Sequence, residues 1–166
     1  VPFEQLFGGK ICAGLDRQHP RDIFDVKYLL ENEGFTPKIK EGFFLCLLGS
    51  DRPTHELIDP NLQDQRRTLE NHFDGMSYES FGYDEFETVR RQLVTTIHKS
   101  ITHEDAEFLL RFTNVEPDWS LYNFSAFPAI IWKLQNLKRL KDTNPAKHSQ
   151  QYQILSAMLA SFKMSS

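Results

Sequence analysis

The sequence is poor in anything that would staple a fold or anchor it in a bilayer. It has two cysteines, Cys12 and Cys46, in 166 residues. Neither belongs to a CxxC pair or to a Cys/His zinc spacing, so no disulfide framework and no metal site is expected. Each sits in an apolar helical stretch, the ordinary setting of a reduced core thiol in a cytoplasmic protein. No apolar run approaches the roughly 20 residues that cross a bilayer, and no signal peptide opens the chain, so no membrane partner is expected. An excess of positive charge is also missing. The net charge of −4 argues against bulk nucleic-acid coating and leaves room only for a local basic patch. Period-two alternation of useful length is absent, as are internal repeats and low-complexity tracts. The first residue is Val, so the chain is expected to begin inside a longer reading frame or to follow processing.

What is present is apolar and helical. Fourteen Phe and a hydrophobic fraction of 40% are enough for a real core. Phe3, Phe7, Ile11 and Leu15 recur at i+4 and predict a helix over 3–15. Pro20 suits the first turn of a second helix, with Asp22 near its positive end and Gly34 as its stop. Thr36-Pro37 opens a third, which Gly49-Ser50-Asp51-Arg52-Pro53 ends. Residues 61–73 read as a polar, exposed helix. Gly75 to Tyr83 reads as a turn-rich loop whose aromatic and Met side chains pack down. Phe86, Val89, Leu93, Ile97 and Ile101 keep one face of a long helix over 84–101. Thr102-His103-Glu104-Asp105 resembles a capping box for the next one. Pro128 and Asn144-Pro145 open the last two. The expectation is an all-α multi-helix bundle lobe of about seven or eight helices. It is taken as one unit over 1–166, with a helical hairpin at 1–34 and a C-terminal bundle at 84–163.

The chemistry concentrates in "LFGGKICAGLDRQHPRDIFDVKYLL", residues 6–30. On a wheel of about 100° per residue, Lys10 falls between Leu6 and Phe7, on the face expected to be covered. A covered lysine needs a carboxylate or an anion. Gly8 and Gly9 each weaken the helix by about 1 kcal/mol, a cost tolerated where something approaches the backbone closely. Gly14 offers no side chain above Lys10. Asp22 and Asp25, at i and i+3, nearly share a face. The short turn folds the two helices into an αα-hairpin and brings Lys10 to the Asp pair. Two readings follow. In one, the ammonium neutralises phosphoryl oxygens while a carboxylate orients a donor or takes a proton. In the other, Lys10 and Asp25 form a salt bridge that locks the hairpin, and Arg21–Asp25 is a plain i,i+4 pair. His19 is a ligand or proton donor, or else a turn residue beside the N-cap. It is not followed by Asp and has no second His-Asp pair, which argues against a helical His-Asp phosphohydrolase.

"GGKICAGLDRQHPRDIFDVKYLL" resembles the third motif of the AbiEii-type nucleotidyltransferases, the toxin family of bacterial abortive-infection and toxin–antitoxin systems. That pattern is a Lys, a small residue three later, an Arg, then Arg-Asp-x-x-Asp. Lys10, Ala13, Arg17, Arg21, Asp22 and Asp25 meet it. "EPDWSLYNFSAFPAIIWKLQNL", residues 116–137, is similar to that family's helical C-terminal lobe. The resemblance runs through nearly the whole chain, from about residue 2 to about residue 148. It implies nucleotidyl transfer from an NTP by a polymerase-beta-like fold, whose N-terminal sheet carries Gly-Ser and an Asp-x-Asp pair that holds Mg²⁺. Lys10 would then contact the nucleotide phosphates and Asp25 would be the late acidic catalytic residue. Arg17, Arg21 and Asp22 would support the nucleotide pocket.

The departure from the family pattern is the absence of Gly-Ser followed by Asp-x-Asp. Gly49-Ser50 ends a helix, and no acidic pair follows it. Phosphoryl transfer needs clustered carboxylates, so the chain is expected to be the C-terminal part of such an enzyme and inactive alone. NTP and Mg²⁺ are expected for the complete enzyme and neither for this part. The expected partners are the missing N-terminal half, an antitoxin protein and an RNA acceptor. An apolar surface should be exposed where the missing sheet packs, unless a homodimer covers it.

A second surface lies on the helix after Pro128. Trp132, Asn136 and Arg139 fall opposite Ile130, Ile131 and Leu134. With Lys133, Lys138 and Lys141 nearby, the stripe is either a stacking-plus-phosphate surface for an RNA acceptor, or Trp132 packs on another helix and the lysines are solvated. Trp119 reads as a core anchor. The rival function is a non-catalytic helical module that binds a partner protein. An upstream reading frame with Gly-Ser and Asp-x-Asp, beside a small DNA-binding antitoxin gene, would discriminate between them.

Overall fold

The computed structural model describes residues 1–73 and 82–162. Among these residues the chain is all-helical, with nine helices and no strand. The order is α1 Phe3–Arg17, α2 Pro20–Glu33, α3 Pro37–Leu48, α4 Thr54–Ile58, α5 Arg66–Phe73, α6 Tyr83–Ser100, α7 His103–Thr113, α8 Pro128–Thr143 and α9 Pro145–Ser161.

Local chemistry accounts for most boundaries. Thr36 Oγ1 accepts from the Ile39 N–H at the start of α3, and Asn144 does the same for Lys147 at α9. Thr102 and Asp105 form the expected reciprocal capping box on α7. Gly34 ends α2 at φ 72°, a conformation that favours glycine. Two elements differ from expectation. The five-residue α4 has no sequence signal of its own. It forms because Thr54, Leu57 and Ile58 are buried at the third-to-fourth helix corner. The helix expected over 61–73 begins only at Arg66, because the non-helical chain before it is tied down. The Gln18 carboxamide donates to the Asn61 carbonyl (2.8 Å) and accepts from the Gln63 N–H (2.9 Å). The loop expected to pack down from Gly75 lies outside the described residues.

The core is built around the crossing of α1 and α3. Gly8 and Gly42 meet backbone to backbone there. A Cβ on Gly8 would stand 2.5 Å from the Gly42 oxygen and the Phe43 nitrogen. What approaches the first glycine of the GGK run is therefore α3. Phe7, Ile11, Leu15, Phe43, Phe44, Leu47 and Leu48 are all essentially buried around this crossing. The buried side of α1 also includes Gly8 and Gly14, so its centre lies well past Phe7 on the wheel. Lys10 is thereby moved to the edge of the buried arc. The expectation that Lys10 is covered is corrected: its side chain is 42% exposed, and Phe3 and Leu6 beside it are 46% and 55% exposed.

The thiols behave as expected for a core. Both are free, and Cys12 and Cys46 face the carbonyls of Phe43 and Gln5. Burial pushes both thiols above their ordinary range, Cys12 the further. Trp119 is the anchor expected of it, edge-on to Phe108, Phe112 and Phe124. Nearby, the buried Asp105 accepts from Lys40 Nζ and the Tyr122 hydroxyl, each at 2.7 Å. Burial and this carboxylate drive the phenol far above its usual range. α8 and α9 pack together and return to the body through α9 against α4 and α7.

Candidate functional site

The first candidate site is the α1–α2 hairpin. Its tight turn is set by Gln18 at φ 53° and by His19, whose Nδ1 accepts from the Arg21 N–H. His19 is thus the N-cap of α2, and Pro20 occupies the first turn. Gly14 faces Ile23 and Val26 of α2, and a Cβ there would lie in ordinary contact with them, so the hairpin does not demand a glycine at this position. The turn is held from the far side of the fold. Gln18 is 2% exposed, and its carboxamide oxygen accepts from the buried Arg90 guanidinium at 2.8 Å.

Two ion pairs join the helices. Lys10 Nζ lies 3.1 Å from Asp25 Oδ2, and an Arg17 nitrogen lies 2.9 Å from Asp22 Oδ2. Four of the five predicted hairpin residues are therefore brought together in two cross-helix pairs. The fifth, Arg21, is exposed and takes part in no ion pair among the described residues. The i,i+4 pairing of Arg21 with Asp25 does not form, because the hairpin places Lys10 at that carboxylate. Helical spacing puts Phe3, Leu6, Lys10, Ala13 and Arg17 on one stripe of α1 and Asp22, Asp25 and Tyr28 on one stripe of α2. Tyr28 is 52% exposed. The result is an open face with two cation–carboxylate pairs beside an apolar end. Among the described residues no group of three or more His, Cys, Asp and Glu is placed to hold a metal ion. Asp22 and Asp25, each already paired with a cation, do not make up such a set.

The second candidate site is a cleft of about 480 Å³ between the 49–55 turn and the α8–α9 pair. Trp132, Lys133 and Asn136 line it together, and Arg139 does not. Trp132 is 63% exposed and so stands at the cleft rather than packed inside the bundle. Lys133 is not freely solvated: its Nζ donates to the Ser50 and Arg52 carbonyls at 2.7 and 2.8 Å. Its burial lowers the ammonium below the usual lysine range. Lys141 is likewise bound, to the Asn114 carbonyl at 3.2 Å. Asp51, Thr54 and His55 form the opposite wall. The polar Gly49–Pro53 turn was the available signal for that wall, and read as a helix end it gave no hint of the cleft.

The hairpin thus presents lysine and arginine interleaved with aspartates on a face open to solvent. Residues 1–135 match the nucleotidyl transferase AbiEii toxin family of type IV toxin–antitoxin systems, and the chain belongs to that family. The motif on α1 and α2 lies inside the matched region. No curated protein and no solved structure matches the chain. None of the described helices is long and apolar enough to cross a membrane.

Proposed function

We propose that this chain is the helical C-terminal lobe of an NTP-dependent nucleotidyltransferase toxin, and that its α1–α2 face closes one side of the nucleotide site. The observation that carries this reading is the pairing of Lys10 with Asp25 and of Arg17 with Asp22 on a half-exposed face. A pair this exposed contributes only about 0–1 kcal/mol to folding, so stability alone gives little reason to build two of them side by side. Each can open to a competing anion. A triphosphate carries more negative charge than one carboxylate, so Lys10 leaves Asp25 for the phosphoryl oxygens. Asp25 is then free to orient the acceptor hydroxyl or take its proton. The Arg17–Asp22 pair steadies the turn, and Arg21 adds positive charge at its mouth.

Mg²⁺ belongs to the complete enzyme in this reading, and the carboxylates that hold it come from the N-terminal half. Phe3, Leu6 and Tyr28 are the apolar end on which that half packs. The chain alone is inactive, and an antitoxin acts on the assembled system. The cleft at Trp132 takes part of an RNA acceptor. The exposed apolar end equally suits a plain protein-binding module, and the assay separates the two. NTP transfer is measured with the catalytic half present. Lys10→Ala and Asp25→Asn should each lower it about 100-fold or more, with a melting temperature within about 4 °C of the parent. Full transfer by Lys10→Ala would sink the reading and leave the binding module.

A further inference from the structure

We propose that the cleft beside Trp132 is a pocket for a single unstacked nucleobase, which lies against the exposed indole and is read at its edge by Asn136, Gln151 and Asp51.

The two tryptophans make the first argument. Trp119 is enclosed edge-on by three aromatic rings, whereas Trp132 is 63% exposed beside a cleft of about 480 Å³. Burying an indole is among the larger apolar gains a fold can make, and here it is forgone at the rim of a concavity of ligand size. The lining combines the aliphatic Leu137, Leu140 and Leu155 with the amide and carboxyl groups of Asn136, Gln151 and Asp51. A flat heteroaromatic ring with donors and acceptors on its edge suits both kinds of surface.

Charge supplies the second argument. Lys133 is the sole Lys or Arg lining the cleft, and its ammonium is engaged by two backbone carbonyls. Arg139 lies outside the lining, and Asp51 contributes negative charge. Burial also keeps His55 below its ordinary value, so it adds no cation at neutral pH. The cleft therefore disfavours phosphate and favours the neutral part of a nucleotide, above all a base with amino donors for Asp51.

The pocket is also braced. A Cβ on Gly49 would stand 3.1 Å from that of Ala129, so the turn sits directly on α8. Lys133 sews the same turn to α8, and Arg52 ties it to Asp16 on α1 and Glu56 on α4. Asp16 immediately precedes Arg17 of the hairpin. The assignment of the base to an acceptor strand rests on the function proposed above, whereas the pocket itself does not depend on Lys10.

The test uses the 166-residue chain. In a Trp119→Phe background Trp132 is the only tryptophan, and its emission is followed while adenosine, cytidine, guanosine, uridine or ribose 5-phosphate is added. Equilibrium dialysis on the unmodified chain and on Trp132→Ala, a change at an exposed side chain, gives the same answer if Trp119→Phe does not fold. Saturable quenching by at least one nucleoside is expected, with none from ribose 5-phosphate at equal concentration. Trp132→Ala should weaken nucleoside binding about tenfold or more, and raising salt should change it by less than about twofold. A short single-stranded oligoribonucleotide that binds more tightly than the nucleoside assigns the base to a strand, and equal binding assigns it to a free nucleoside; either supports the pocket. Equal binding of ribose 5-phosphate, or unchanged binding by Trp132→Ala, overturns it. If Trp132→Ala leaves nucleoside binding unchanged while Lys10→Ala still abolishes NTP transfer with the catalytic half present, the pocket fails and the transferase reading stands.

Discussion

The paired glycines of the GGK run offer a direct test of the α1–α3 crossing, because they are neighbours with opposite surroundings. Gly8→Ala would put a methyl group 2.5 Å from the Gly42 oxygen and the Phe43 nitrogen. Non-bonded carbon contacts relax only near about 3.5 Å, so the two helices must part by roughly 1 Å. Both obstacles are backbone and cannot rotate away. The cost therefore sits at the upper end of the overpacking range, about 3 kcal/mol. Alanine returns about 1 kcal/mol of helix propensity over glycine, which leaves Gly8→Ala about 2 kcal/mol less stable than the parent. Gly9→Ala meets only the Cys46 sulfur at 3.9 Å, an ordinary contact. It should keep its propensity gain of up to about 1 kcal/mol. Urea unfolding followed by far-UV circular dichroism measures both. In a chain of this size the corresponding shifts in melting temperature are about 4–8 °C downward and about 2–4 °C upward. If the two variants unfold together, the close crossing is not what demands the first glycine, and the account of α1 packing is refuted.

Two further outcomes follow from the charges. Asp105→Asn leaves the Lys40 ammonium, 15% exposed, with neutral acceptors such as the Ser100 carbonyl in place of its ion pair, and should cost about 3–5 kcal/mol. Arg17→Ala, which breaks the exposed pair with Asp22, should cost no more than about 1 kcal/mol. Similar denaturation midpoints for the two would contradict the contrast in burial. His55 has its pKa lowered by burial, so the folded chain binds fewer protons than the unfolded one below the ordinary imidazole value. Stability should then fall as pH drops through about 6.5 and level off below the folded value. His55→Gln should flatten that slope in midpoints measured across the range, and an unchanged slope would place its origin elsewhere.

Much of the helical order is legible in short stretches of sequence. The Thr102–Asp105 box, the Asn144-Pro145 start and the Gly34 stop each depend on residue types within a few positions of the backbone they cap. The site was half legible for a different reason. The spacing from Lys10 to Asp25 carries a family pattern, and the αα-hairpin it implies brings Lys10 to Asp25 at 3.1 Å. The partner choice within it was open, since an i,i+4 rule favours Arg21 for Asp25 as readily as the hairpin favours Lys10. The wall of the Trp132 cleft was not legible, because Asp51 and His55 reach Asn136 only through the return of α8 across the end of α3. The short α4 escaped for a similar reason: five residues cannot declare a helical period, and burial at a corner decides them.

By itself, the sequence determined that this chain folds into helices, where most of them start and stop, and that Lys10, Arg17, Asp22 and Asp25 share a hairpin. These follow from local capping, periodicity and spacing. The tertiary structure alone decided that Lys10 stands half-exposed, that Gly8 meets α3, that Gln18 and Arg90 hold the turn, and that Trp132 faces a cleft. Each of these depends on a contact between segments far apart in the chain. The α1–α3 crossing sets which face of α1 is buried, and so leaves the charged stripe beside it open to solvent.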